Sequence, residues 1–177
     1  MKSRRQVLAI IGTGDVLSPS DETEVESLGR LANEAGFRVM TGGLDGVMAA
    51  ACRGAHSASN YREGDTIGIL PGDGVAAANE WVDIVIPSDL GIARNVLVVR
   101  AADVVIAVGG AAGTLSEIAI AWQLGRPLIA LESVTGWAAR LAGETVDHRR
   151  DDTVYAAGNA AQAVDLARQL LNRGRHG

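Results

Sequence analysis

The sequence predicts an α/β fold: a Rossmann-like, mostly parallel sheet of about seven strands with helices on both faces. Three observations predict it. Short β-branched runs alternate with Ala-rich helical segments, the pattern of successive strand–helix–strand units. Most of the strand segments are too apolar to keep one face in water, as expected of parallel strands covered on both sides. Glycine, 22 of 177 residues, gathers where strands end, and open α/β sheets bind ligands beyond those carboxyl ends.

Strands are expected at residues 6–11, 38–41, 66–70, 83–86, 104–108 and 127–131, and a weaker one at 153–155. The first helix is marked by Ser18 as N-cap, Pro19 at the first helical position, and Asp21 and Glu22 at the positive end of the helix dipole. Val25, Leu28, Leu31, Ala32 and Ala35 give it one apolar face, and Gly36 ends it. A helix containing Cys52 follows the second strand, and another runs toward Gln123. The last helix covers about residues 160–172, with Val164, Ala167 and Leu171 on one side and Arg168 and Arg173 toward its end. Residues 92–101 are ambiguous: Val96, Leu97, Val98 and Val99 suit a strand by propensity, yet would make a helix apolar all round.

The length fits one domain, 1–177, able to bury a sizeable core, and no repeat, low-complexity tract or long linker divides it. Hydrophobic residues make up 47% against 21% charged, which excludes intrinsic disorder. No apolar run approaches the roughly 18 to 20 residues of a membrane span, so no membrane association is expected. Residues 1–5 are basic, but the apolar run behind them is too short for a secretory signal, so the expected location is the cytoplasm. A net charge of -5 and a pI of about 5.2 argue against bulk binding to nucleic acid. Small anions stay possible partners.

Cys52 is alone, and His56, His148 and His176 are scattered without ligand spacing, so neither a disulfide framework nor a metal site is expected. Lys2 is the only lysine; the other basic residues are arginines. Pyridoxal phosphate chemistry needs a lysine held in a pocket, and a phosphate-loop NTPase needs Gly-Lys-Ser/Thr after a Gly-rich turn. Both are excluded.

Three glycine turns follow strands. Gly12-Thr13-Gly14 resembles the start of a dinucleotide fingerprint, but the third Gly position is Leu17 and strand two ends at Thr41 rather than an acid, so no NAD site is expected. It remains either a plain tight turn or a ligand-contacting loop. Thr41-Gly42-Gly43-Leu44-Asp45-Gly46-Val47-Met48 holds three glycines in five residues, more than a connection requires, and reads as a phosphate or nucleotide cradle with Met48 in the core. The third turn is Gly109-Gly110-Ala111-Ala112-Gly113-Thr114-Leu115-Ser116-Glu117. Thr114 can cap the following helix or hold a phosphate. With Thr114 as N-cap, Glu117 is the third helical residue of a capping box; otherwise it is free for chemistry.

Residues 41–48, 94–103 and 109–117, in that order and separation, resemble the LOG-type proteins, once labelled lysine decarboxylases, and most closely their molybdenum cofactor carrier branch. The resemblance covers roughly residues 7–131. It implies a Rossmann-like fold, homodimers or homotetramers, and a pocket for a phosphorylated, nucleotide-like ligand where the Gly-rich turns meet. It also implies that residues 92–101 are helical, with Arg94 facing the pocket and an apolar surface suited to a subunit interface. Enzymatic members release a base from a nucleoside 5′-monophosphate and carry Pro-Gly-Gly-X-Gly-Thr-X-X-Glu with an upstream Arg-Lys pair. Gly110, Gly113, Thr114 and Glu117 match, as do Arg94 and Arg100, whereas Gly109 replaces Pro, Ala111 replaces the second Gly, and Asn95 replaces Lys.

Two functions are therefore expected. In a carrier of molybdenum cofactor or a related ligand, Gly12, Thr13, Gly14, Gly42, Gly43, Asp45, Gly46, Asn95, Gly109, Gly110, Gly113 and Thr114 form the binding turns, with Arg94 and Glu117 beside them; no nucleophile is needed. In a phosphoribohydrolase, Glu117 stabilises the cationic sugar or positions water, and Arg94 orients the substrate. The departures at Asn95, Gly109 and Ala111 favour the carrier.

Overall fold

Seven parallel strands make one sheet in the order β4-β3-β2-β1-β5-β6-β7. The computed structural model describes residues 4–173; Lys2 and His176 lie outside them. The strands are β1 Val7–Gly12, β2 Arg38–Thr41, β3 Thr66–Leu70, β4 Ile84–Pro87, β5 Val104–Val108, β6 Leu128–Leu131 and β7 Tyr155–Ala157. The helices are α1 Pro19–Glu34, α2 Val47–His56, α3 Arg94–Ala101, α4 Ala112–Gln123, α5 Trp137–Leu141 and α6 Ala160–Arg173. Helices α1, α2 and α6 cover one face of the sheet, and α3, α4 and α5 the other.

The expected α/β architecture is therefore present, and residues 92–101 are helical, entered through a 3-10 turn at Gly91–Ala93. Central strands behave as their composition requires: β5 and β6 are buried throughout. The edge strand β4 departs from the expectation of two covered faces, because Ile84 and Ile86 are about two-fifths exposed. Ser18 caps α1, its hydroxyl accepting from Asp21 N at 3.2 Å. Helices α1 and α2 cross almost backbone to backbone, since a Cβ on Gly29 would overlap the carbonyl of Ala51 and one on Gly54 the carbonyl of Glu26.

The chain turns from one half of the sheet to the other between β1 and β5. Such a switch point leaves a crevice at the carboxyl ends, because the adjoining loops lead to opposite faces. Gly12, Gly42 and Gly109 follow there.

Candidate functional site

A cleft of about 240 Å³ opens at this switch point. Its floor and one side come from β1 and the turn after it, through Ile11, Gly12, Thr13 and Gly14. Gly42, Leu44 and Met48 come from the β2–α2 turn; Arg94 and Asn95 from α3; Ala111, Gly113, Thr114 and Glu117 from the start of α4.

The first two turns are built against each other. Val47 N donates to Thr13 O at 3.0 Å, and Gly46, at φ +62°, packs so closely on the carbonyls of Thr13 and Asp15 that a Cβ would approach each to 2.5 Å. Asn79 fixes the other flank, donating through Nδ2 to Gly43 O at 3.2 Å and Leu44 O at 2.8 Å. The third turn is clamped by α5: Trp137 N donates to Gly110 O and Ala138 N to Gly109 O, both at 3.0 Å. Helices α2 and α4 start without a side-chain cap. The first N–H groups of α2 are taken by backbone, Val47 N by Thr13 O and Met48 N by Asp45 O, so it is the start of α4 that offers N–H donors to an anion.

Among the described residues, Arg94 and Glu117 are the only charged ones lining the cleft. Both are buried, 8% and 5% exposed, and they face each other with Arg94 Nη1 3.5 Å from Glu117 Oε1. That spacing is an ion pair without a well-formed hydrogen bond. Burial pushes the Glu117 carboxyl up from the ordinary 4.5 to about 7, with Arg94 opposing the rise. Burial also lowers the Arg94 guanidinium, against the pull of Glu117. Arg94 Nε is buried with no hydrogen-bond partner in the structure.

A family model for the SLOG cluster4 family matches residues 5–164. The chain belongs to the SLOG cluster4 family. A protein of Archaeoglobus fulgidus is 39% identical over 127 residues, 71% of this chain and 79% of its own length. The molybdenum cofactor binding protein of the phototrophic bacterium Rippkaea orientalis has a similar structure, with a TM-score of 0.82, 32% identity, and coverage of 95% of this chain and 98% of its own. So does the molybdenum cofactor carrier protein of Chlamydomonas reinhardtii, with a TM-score of 0.79, 28% identity, and coverage of 95% and 99%.

In this SLOG cluster4 chain, Gly12, Thr13, Gly14, Gly42, Arg94, Asn95, Gly113, Thr114 and Glu117 line the cleft. Gly43, Asp45, Gly46, Gly109 and Gly110 are not among the lining residues; the glycines shape the turns behind the wall. The capping-box reading of Glu117 is overturned. Helix α4 starts at Ala112 with Ala111 as its N-cap, so Thr114 lies inside the first turn and Glu117 a further turn along. Asn95 spends its amide on α4, donating to Ser116 Oγ at 2.9 Å. Ile11, Leu44, Met48 and Ala111 line the cleft without having been singled out for it; Met48 is also buried, as a core residue would be. Nothing in an apolar residue type separates a cleft wall from a core. Cys52 is buried, and burial pushes its thiol up to about 12, so it is inert.

Proposed function

We propose that this protein binds and carries the molybdenum cofactor, holding the ligand's phosphate at the switch-point cleft without turning the ligand over. The observation that carries this is the buried guanidinium of Arg94 lining the cleft beside the uncapped start of α4. A guanidinium and a row of backbone N–H groups suit a phosphate oxygen by charge and by geometry. Thr114 adds a side-chain hydroxyl and Asn95 its carbonyl oxygen for a ring edge or a further polar group. The resemblance to cofactor carriers over nearly the whole chain supports the same ligand class. When bound, the cofactor itself brings the molybdenum chemistry; these residues hold and shield it. At about 240 Å³ the cleft is just under the roughly 300–1,000 Å³ of enclosed ligand pockets, which suits a phosphate and its adjoining ring with the remainder toward solvent.

One observation favours a second reading. Glu117 is not a cap but a buried carboxyl in the cleft, the place a phosphoribohydrolase needs one. One experiment separates the two. The purified protein is loaded with molybdenum cofactor, desalted and assayed for pterin fluorescence after oxidation, while a parallel sample is incubated with nucleoside 5′-monophosphates and searched for free base. The carrier reading expects retained pterin, lost in Arg94→Ala, and no free base. Base release that disappears in Glu117→Gln, with no pterin retained, would make the protein an enzyme.

The same reading extends to a homo-oligomer. Ile92 is 90% exposed, and Leu90, Val96 and Leu97 beside it are exposed as well, an apolar surface that a second copy would cover. Light scattering on the purified protein, with Ile92→Glu as the dissociating variant, tests it.

A further inference from the structure

Resting on the phosphate-binding reading, we propose that the incoming phosphate displaces Glu117 as the anion facing Arg94, and that Glu117 takes up a proton from solvent as the ligand binds, so that affinity is controlled by pH.

Three features carry this. Among the described residues Arg94 and Glu117 are the only charges lining the cleft, so the ionised pair is neutral and a phosphate dianion adds two negative charges to it. An ionised carboxylate a few ångströms from a phosphate oxygen is repelled by it, and more strongly in a buried site than in water. Neutralising Glu117 removes that repulsion. Among the described residues, Arg94 is the partner the structure gives Glu117, and at 3.5 Å it makes no proper hydrogen bond. Protonation therefore gives up little, and the carboxyl gains an O–H that can donate to the ligand. Arg94 for its part gives up its ion pair with Glu117 on turning toward the phosphate and regains an anionic partner there.

Among the described residues no other titratable group lines the cleft; Asp15 stands behind Thr13, its carboxylate accepting from the Thr13 hydroxyl at 2.6 Å. The β1–α1 turn and the β2–α2 turn present only uncharged residues to the cleft, α3 presents Arg94 and the neutral Asn95, and α4 presents Thr114 beside Glu117. Burial already holds the Glu117 carboxyl near 7 in the free protein, so the proton is available close to neutral pH. The step moves one proton from water to a Glu117 oxygen and breaks no other bond.

The test is titration calorimetry with 5′-AMP and 5′-GMP as probes, at pH 6 and pH 8, each in two buffers of different ionisation enthalpy. At pH 8 these monoesters are already dianions, because their second ionisation lies near 6. The wild-type protein is expected to take up close to one proton per ligand at pH 8 and to bind about fivefold more weakly than at pH 6, where about half of the monoester is itself protonated, the penalty for protonating a group that ionises near 7. Glu117→Gln is expected to take up none and to bind about tenfold more tightly than wild type at pH 8. Tight binding by wild type with no proton uptake overturns the proposal while leaving phosphate binding intact, and this count needs no variant. Failure of both nucleotides to bind at pH 6 overturns the phosphate reading itself, and the proposal with it.

Discussion

The guanidinium of Arg94 lies over the Cα of Gly42, so close that a Cβ at position 42 would overlap both of its terminal nitrogens. The backbone at Gly42 needs no left-handed conformation, so alanine adds no strain there. What must move is the far end of one side chain. Gly42→Ala is therefore expected to change stability by less than about 1 kcal/mol while weakening 5′-AMP binding about tenfold or more. Thermal unfolding and titration on the same preparation check both halves. Undiminished affinity would mean that Arg94 does not face the ligand.

Arg94→Ala removes the cation itself. Hydrogen bonds to charged groups contribute about 1.5–3 kcal/mol, so affinity for a phosphate monoester should fall roughly 10- to 150-fold. Arg94→Lys keeps the charge but not the planar fork, and an intermediate loss is expected. Equal affinity in all three proteins, measured by calorimetry at pH 6, would remove Arg94 from the site.

The fold is legible where signals are local. Apolar β-branched runs closed by glycine, such as residues 104–108 before Gly109 and Gly110, are read directly because burial on both faces dictates their composition. Strand β7 sits two residues later than composition suggests, at Tyr155–Ala157, since pairing of Tyr155 with Ile129 selects it and alanine has little strand preference of its own. Helix α5 carries no readable signal: it is five residues long, and its start is held by the carbonyls of Gly109 and Gly110, almost thirty residues away. At the site, the turns are legible because only glycine permits their close approaches. The pairing of Arg94 with Glu117 is not, since it joins two helices, and the Thr114 to Glu117 spacing imitates a capping box that the backbone does not form.

The crossing of α1 and α2 makes a prediction about the scaffold rather than the cleft. Gly29 and Gly54 each meet the backbone carbonyl of the facing helix, which cannot move aside as a side chain can. Gly29→Ala and Gly54→Ala are each expected to destabilise by about 3 kcal/mol or more, or to prevent folding, although alanine is the better helix former by nearly 1 kcal/mol. Urea unfolding measures the loss. A gain in stability in either variant would mean that the helices lie farther apart.

Glu117 also sets a pH dependence of stability whose sign follows from its burial. Its carboxyl is pushed up from 4.5 to about 7 in the folded chain, so the folded state holds the proton more tightly than the unfolded state. That contribution is fully present below about 4.5, is lost as pH rises through 7, and is flat above; its size is on the order of 3 kcal/mol. Asp65, Asp83 and Asp103 act in the opposite direction: burial pushes each upward, but hydrogen bonds outweigh it and hold each below the usual range. Those three are shared by wild type and Glu117→Gln, so comparing the two proteins isolates position 117. Glutamine cannot ionise, and the variant is expected to match wild type near pH 4 and to exceed it in urea unfolding at pH 8 by on the order of 3 kcal/mol. An acid that destabilises the chain at neutral pH while sitting in the cleft is the mark of a residue kept for binding rather than for folding. Identical pH slopes in the two proteins would place Glu117 in water and remove that argument.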